Sequence, residues 1–328
     1  MFVTANNLQD DFYKVSKSLI WFFGFFLFLN IGYKNTIKER YVKHFFVVSI
    51  ILLFALVIAG TTNEALFKTN RDYGASNFAY YLLFAFPYLF MFRNVSYRSV
   101  LFAVITIGVA ISFKRGTMLS FVLIVAYLML FSNLKGIAGK RFSKLFRVLI
   151  ICVVFLVLYQ VVFLNFDSYV DKFSDIKELQ TGNIDDVGSG RGKLYWLPIE
   201  RWLNSNPFNF IFGYGFDATP QFYPTTGVLK GKFYAHSDFV MLIHDYGIIG
   251  LSILISLFYR FFKYIKSSKI MTNKVPLVLL FIALLIKSIF SGFIIYEYSI
   301  YGFAVLGYII GRQRRQLIEG RLHYDQQL

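Results

Sequence analysis

The chain has a single cysteine, Cys152, placed inside an apolar run, so it can form no intrachain disulfide and offers no thiolate cluster to a metal. Charge is scarce, at 16% of residues, and carboxylates are scarcer, with 18 Asp and Glu against 34 Lys and Arg. No carboxylate cluster of the kind that cages Mg²⁺ stands out, and no metal or cofactor is expected. Common enzyme signatures are missing as well: there is no HExxH, no Walker loop, no GxGxxG after a strand and no GxSxG elbow. An internal repeat of transporter type and sustained Gly/Ser or Gln/Asn tracts are also lacking. Residues 1–16 carry Asp10, Asp11 and Lys14 without the basic start and short apolar core of a cleaved signal, so the first helix is expected to stay in the membrane.

What the chain has is apolar surface. At 57% hydrophobic and 20% aromatic, it carries more than a water-soluble fold of 328 residues can hide. The expectation is an all-α polytopic membrane protein. Apolar windows fall at 18–31, 45–59, 76–92, 100–113, 117–131, 145–164, 239–258, 276–295 and 300–310, which predicts about nine spans. A net charge of +16 would suggest nucleic acid in a soluble protein. Here the cations sit in short loops, which encodes topology, and no nucleic-acid motif accompanies them.

The basic loops, around Lys34 to Lys43, Arg93 and Arg98, Lys135 to Arg147, Arg260 to Lys274 and Arg312 to Arg315, are expected on the cytoplasmic side. The opposite face then receives 61–75, the Lys114-Arg115-Gly116 turn, the long interval 165–238 and the turn at 296–299. An odd number of spans puts the N-terminus outside. Three regions follow: N-terminal transmembrane helices over 1–164, a large extracytoplasmic loop over 165–238, and C-terminal transmembrane helices with a cytoplasmic tail over 239–328. Within the loop, Val170, Phe173, Ile176 and Leu179 space an amphipathic helix over 169–180. Residues 195–203 are helix-compatible apart from Pro198, and 204–207 break the helix.

The candidates for chemistry lie on the outer face. Arg115 opens the fifth span, where a snorkelling anchor is the plain alternative, and the same alternative holds for Arg71. Arg191 sits in a polar loop, where a solvated arginine is the default. His236 precedes Ser237 and Asp238, both good N-cap residues for the seventh span. It reads either as a polar boundary residue or as a titratable group beside a helix N-terminus that favours anions. His244 lies about 12 Å deeper on a straight helix, too far to share one metal ion with His236. Gly213 and Gly215 form a GxG that reads more readily as a turn than as a phosphate cradle. Arginines with a histidine, and no metal cage, suit a diphosphate held by guanidinium forks. Asp245 and Lys287 reach similar depths, about 10 and 12 Å below the outer boundary, and are expected to share an ion pair or polar network. The alternative is that Asp245 pairs with His244 or caps backbone while Lys287 snorkels.

The order of these elements, over roughly 111–251 with weaker agreement around Arg71, resembles the bacterial O-antigen ligase and polymerase family. In SFKRGTMLSFVL, Lys114 stands where the family has serine, so Arg115 and Gly116 carry the likeness. Arg191, Trp196, Pro207, Gly213 and Gly215 carry it in the loop, and His236, Asp238, Asp245, Gly247 and Gly250 carry it in AHSDFVMLIHDYGIIGL. The resemblance implies a GT-C-like glycosyltransferase of the bacterial inner membrane, with its site facing the periplasm or exterior. Its donor would be a glycan linked to undecaprenyl diphosphate, and its acceptor a second glycan or the lipid A core. A flippase and chain-length regulators are further expected partners. His236, Arg191 and Arg115 take the catalytic roles, with Arg71, Lys114, Tyr214 and Asp238 binding substrate. A transporter or flippase is the rival of another class, and it would place ionisable residues at the midplane.

Overall fold

The computed structural model describes residues 8–62, 78–92, 97–112, 115–131, 191–222, 234–268, 271–292 and 299–325. Among them all regular structure is helical. The helices are α1 (Leu8–Lys34), α2 (Glu39–Thr62), α3 (Phe78–Ala85), α4 (Tyr88–Met91), α5 (Arg98–Ser112) and α6 (Arg115–Phe131). Then follow α7 (Arg191–Leu203), α8 (Pro207–Phe212), α9 (Ala218–Phe222), α10 (Asp238–Ser267), α11 (Met271–Phe290) and α12 (Ile300–Asp325). The apolar windows coincide with α1, α2, α3 with α4, α5, α6, α10, α11 and α12. The window at 145–164 and the amphipathic stretch at 169–180 lie outside the described residues. By length and composition α2 and α10 can cross a membrane, and shorter apolar helices lie within α1, α3–α4, α5 and α6. The chain divides into two compact units: Met1–Phe2, Val154–Phe261 and Ser288–Gly292 form one, and Val3–Val153, Phe262–Lys287 and Phe293–Leu328 form the other.

In the larger unit α3 and α4 form the centre. Every residue from Ala79 to Phe92 is buried, as a helix that is apolar all round must be. Pro87 carries no N–H, and the chain turns there between the two helices, with the Phe86 amide bonded to the Leu83 carbonyl at 3.0 Å. Phe46 of α2 packs 5.3 Å from Tyr88, and Phe102 of α5 packs 5.7 Å from Phe86. The outward sides of α2 and α6 leave Val48, Ile51, Leu52, Val122 and Leu130 exposed. Apolar surface of that extent belongs against lipid.

One end of this unit is basic. The carbonyls that close α4 have no helical partner, and arginines from two other helices supply one. Arg98 Nη2 donates to Phe92 O at 2.7 Å, and Arg312 donates to Met91 O. Lys43 Nζ stands 5.0 Å from the Phe92 ring centre and the Arg312 guanidinium 4.9 Å from it. Cations from three separate helices thus meet at Phe92.

α1 and α12 pack side by side in parallel. Backbone meets backbone where Gly307 faces Phe25 O and Gly311 faces Leu29 O, so any side chain at either glycine would collide with a carbonyl. This is the close approach that a small-xxx-small pair allows. Numbers rise together on the two helices, so the end of α1 at Lys34 comes level with Arg312 to Arg315 of α12.

Candidate active site

The smaller unit is built around a break in α10. Gly247 has φ 63° and ψ −155°, a conformation outside the helix that an L side chain avoids. A helix interrupted there leaves carbonyls just before the break in need of donors. The loop of FGYG provides them: Tyr214 N donates to His244 O at 3.0 Å and Gly215 N to Asp245 O at 2.8 Å.

That loop is delivered by two short helices. α7 accommodates Pro198 in its interior, beginning four residues before the helix-compatible stretch expected from sequence. α8 starts where Asn206 accepts from Asn209 N at 2.8 Å with Pro207 in its first turn, and it ends at Gly213, φ 75°. Trp202 locks the pair, donating from Nε1 to Phe210 O at 3.0 Å while its ring stacks on Phe210 at 4.5 Å.

Beneath the loop lies a buried polar cluster. Asp245 Oδ1 accepts from Thr219 N at 2.8 Å and from Thr219 Oγ1 at 2.5 Å, and it lies 2.9 Å from His244 Nδ1. Since the threonine hydroxyl gives its proton to the carboxylate, Nδ1 of His244 carries a hydrogen toward Asp245. Nε2 is buried and has no hydrogen-bond partner among the described residues. The imidazole lies stacked against Tyr214 at 4.9 Å and Phe222 at 5.5 Å. Arg201 completes the layer, its guanidinium 3.9 Å from the Tyr214 ring and 4.4 Å from Phe222, while Tyr214 Oη donates to Arg201 O at 3.0 Å. A chain of contacts thus runs from α7 through the GxG loop into α10.

His236 stands just before α10. It is half-buried, at φ 52°, in the left-handed region. Its carbonyl accepts a long hydrogen bond of 3.5 Å from Tyr195 Oη, four residues into α7 from Arg191. Ser237 and Asp238 behind it are buried, and Ser237 O accepts the Met241 amide at 3.0 Å as the helix starts. One unit therefore holds both His236 and the helix that Arg191 opens. Arg115 opens α6 in the other unit. The side chains of Arg115 and Arg191, and the whole of Arg71 and Lys114, lie outside the described residues. Tyr214 is engaged in the layer over His244. Among the described residues no group of three or more His, Cys, Asp or Glu could hold a metal ion.

Asp245 takes its partners from His244 and Thr219, the alternative weighed against an ion pair with Lys287. Lys287, fully buried in the other unit, has its ammonium 5.5 Å and 5.3 Å from the rings of Tyr80 and Tyr81. Thr219 and Arg201 were not singled out by sequence reasoning. Their only signal is position, Thr219 four residues after Gly215 and Arg201 in the helix before the turn.

No curated protein matches the chain. The model of the family described as O-antigen ligase matches residues 100–255, the stretch that contains Arg115, Arg191, the FGYG turn and His236. Over that stretch, just under half of the chain, the protein is similar to the O-antigen ligase family.

Proposed function

We propose that the protein polymerises glycan repeat units carried on undecaprenyl diphosphate, at the outer face of the bacterial inner membrane, into O-antigen or a capsular or exopolysaccharide. The acceptor hydroxyl oxygen attacks the anomeric carbon of the donor, and the bond from that carbon to the diphosphate oxygen breaks with inversion. The diphosphate leaves with the electron pair. His236 orients the acceptor hydroxyl and takes its proton. Arg191 and Arg115, with Arg71, neutralise charge building on the leaving group, a role for preorganised cations in place of a metal. Lys114, Tyr214 and Asp238 line the substrate path.

The observation that carries this reading is the family match at 100–255, which contains Arg115, Arg191 and His236. The tie from Tyr195 to His236 supports it, since it joins the Arg191 helix to the histidine. The family description itself favours a second reading, ligation of the finished glycan to lipid A core. Glycan electrophoresis of a deletion strain separates the two. Caps of a single repeat on lipid A core mean polymerase, whereas long chains left on undecaprenyl diphosphate mean ligase. Unchanged glycan in the deletion strain removes both.

A further inference from the structure

Where α1 ends alongside α12, their flanks enclose a groove of about 720 Å³. Its walls are apolar, with Phe26 and Leu29 on α1 and Leu317 and Ile318 on α12. Lys34 and Arg314 stand at its edge, with Asn30 and Tyr33 beside them. Residues 26, 29, 30, 33 and 34 recur at helical spacing, as do 314, 317 and 318, so each helix turns one continuous face into the groove. Parallel packing over Gly307 and Gly311 brings the two cations together from opposite ends of the sequence.

The groove is open and its apolar side chains are uncovered: Phe26 is 59% exposed and Leu317 49%. Both cations are exposed too. The neighbouring carboxylate on α12, Glu319, lies against Arg315 at 3.8 Å, and Glu39 is bound to Lys43 at 2.7 Å. Among the described residues no acidic side chain lines the groove, and neither Lys34 nor Arg314 has an ion pair. An occupant must therefore bring negative charge to the two cations and hydrocarbon to the walls. A soluble anion supplies only the first and an uncharged lipid only the second.

We propose that this groove binds an anionic phospholipid of the cytoplasmic leaflet, its phosphodiester between Lys34 and Arg314 and an acyl chain along Phe26 and Leu29. The volume falls in the ~300–1,000 Å³ range of built ligand sites. Basic groups at the end of a span face the cytoplasmic headgroups, which carry the negative surface charge of that leaflet. The site lies among the basic ends of the helices, whereas glycan transfer is assigned to the outer face, so its occupancy does not depend on that assignment.

The test uses full-length protein purified in detergent and native mass spectrometry with phosphatidylglycerol, phosphatidylcholine and inorganic phosphate as probes. Two cations facing a headgroup of net negative charge correspond to a preference of about thirtyfold for phosphatidylglycerol over phosphatidylcholine, whose choline cancels the charge of the same phosphodiester. The double variant Lys34→Gln/Arg314→Gln should lose that preference, and Lys263→Gln/Lys266→Gln, which removes two exposed cations elsewhere, should keep it. Equal retention of the two lipids by the unmodified protein overturns the proposal, as does equal loss in both double variants. Displacement of bound phosphatidylglycerol by inorganic phosphate would show a site for the free anion and overturn the lipid assignment. A photoactivatable phosphatidylglycerol on the unmodified protein gives a reading that needs no variant to fold. Cross-links should map to 26–34 and 314–318, and labelling confined to other segments sinks the idea.

Discussion

The backbone leading into each of Gly213 and Gly247 fills the space that a side chain on the other would need. A Cβ on Gly213 would strike the Asp245 carbonyl and the Tyr246 nitrogen, and one on Gly247 would strike the Ile211 carbonyl and come within 2.7 Å of Gly213 N. Both residues have positive φ, 75° and 63°. The break in α10 and the turn after α8 are thus one feature, because the loop amides that cap the broken helix reach it only when neither position has a side chain.

Gly213→Ala and Gly247→Ala should each destabilise the protein by more than the ~1–2 kcal/mol of a left-handed alanine, since the loop must also move off the helix. The double variant should cost less than the sum, because the first substitution already undocks the turn. Thermal unfolding of purified protein measures both. Additive effects would mean that the two glycines act separately.

The buried cluster predicts a second coupling. Asp245→Leu takes the acceptor from the Thr219 N–H, at about 1–3 kcal/mol, and leaves the His244 Nδ1–H only the Thr219 hydroxyl oxygen, 2.9 Å away. Thr219→Val removes that second acceptor, so Asp245→Leu should cost at least ~1 kcal/mol more in that background. An equal cost in both backgrounds would show that the hydroxyl gives the imidazole no alternative partner.

Helices were legible because long apolar runs have few other solutions in a membrane. The windows on α2, α5, α6, α10 and α12 needed only hydropathy. The break at Gly247 was not legible, because a glycine in an apolar helix is also read as a packing residue, as Gly307 is. Asp245 shows the same limit. Depth along a straight helix brought it level with Lys287, but a carboxylate satisfied by its own neighbour and by Thr219 is set by the fold of the loop, which spacing does not encode. The motif order around His236 was readable because it is local, whereas Arg201, which acts through the faces of Tyr214 and Phe222, carries no motif.

Arg191→Ala and His236→Ala are expected to abolish glycan transfer, by ~10²-fold or more, with membrane insertion unchanged. Arg191→Lys should fail as well if two parallel hydrogen bonds to phosphate are required, because an ammonium cannot form the fork. Chain length on glycan gels and membrane-fraction immunoblots read the two properties separately. Near-normal glycan in both alanine variants would withdraw the catalytic roles.

Transfer should also survive chelation. If guanidinium groups neutralise the diphosphate, no divalent ion is needed at the leaving group. Purified protein treated with EDTA should keep its rate to within about twofold, a barrier change of under ~0.5 kcal/mol. Activity that is lost and returns only with Mg²⁺ or Mn²⁺ would contradict the arginine mechanism.

The last expectation concerns Lys287, whose side chain is fully buried with its ammonium over Tyr80 and Tyr81. A cation held inside a membrane helix bundle costs several kcal/mol unless its surroundings replace water. Aromatic faces do part of this, because the ring quadrupole presents negative charge to the cation, worth up to ~2 kcal/mol per desolvated contact. Tyr81→Leu removes one face together with some packing area. Lys287→Met keeps an unbranched chain of similar length and removes the charge. If the cation and the ring interact, Tyr81→Leu should destabilise the Lys287 protein by about 1 kcal/mol more than it destabilises the Lys287→Met protein, the difference cancelling the packing loss common to both. Unfolding midpoints of the four proteins in one detergent give that number. A difference near zero would leave Tyr81 as packing alone and assign the stabilisation of Lys287 to its other contacts.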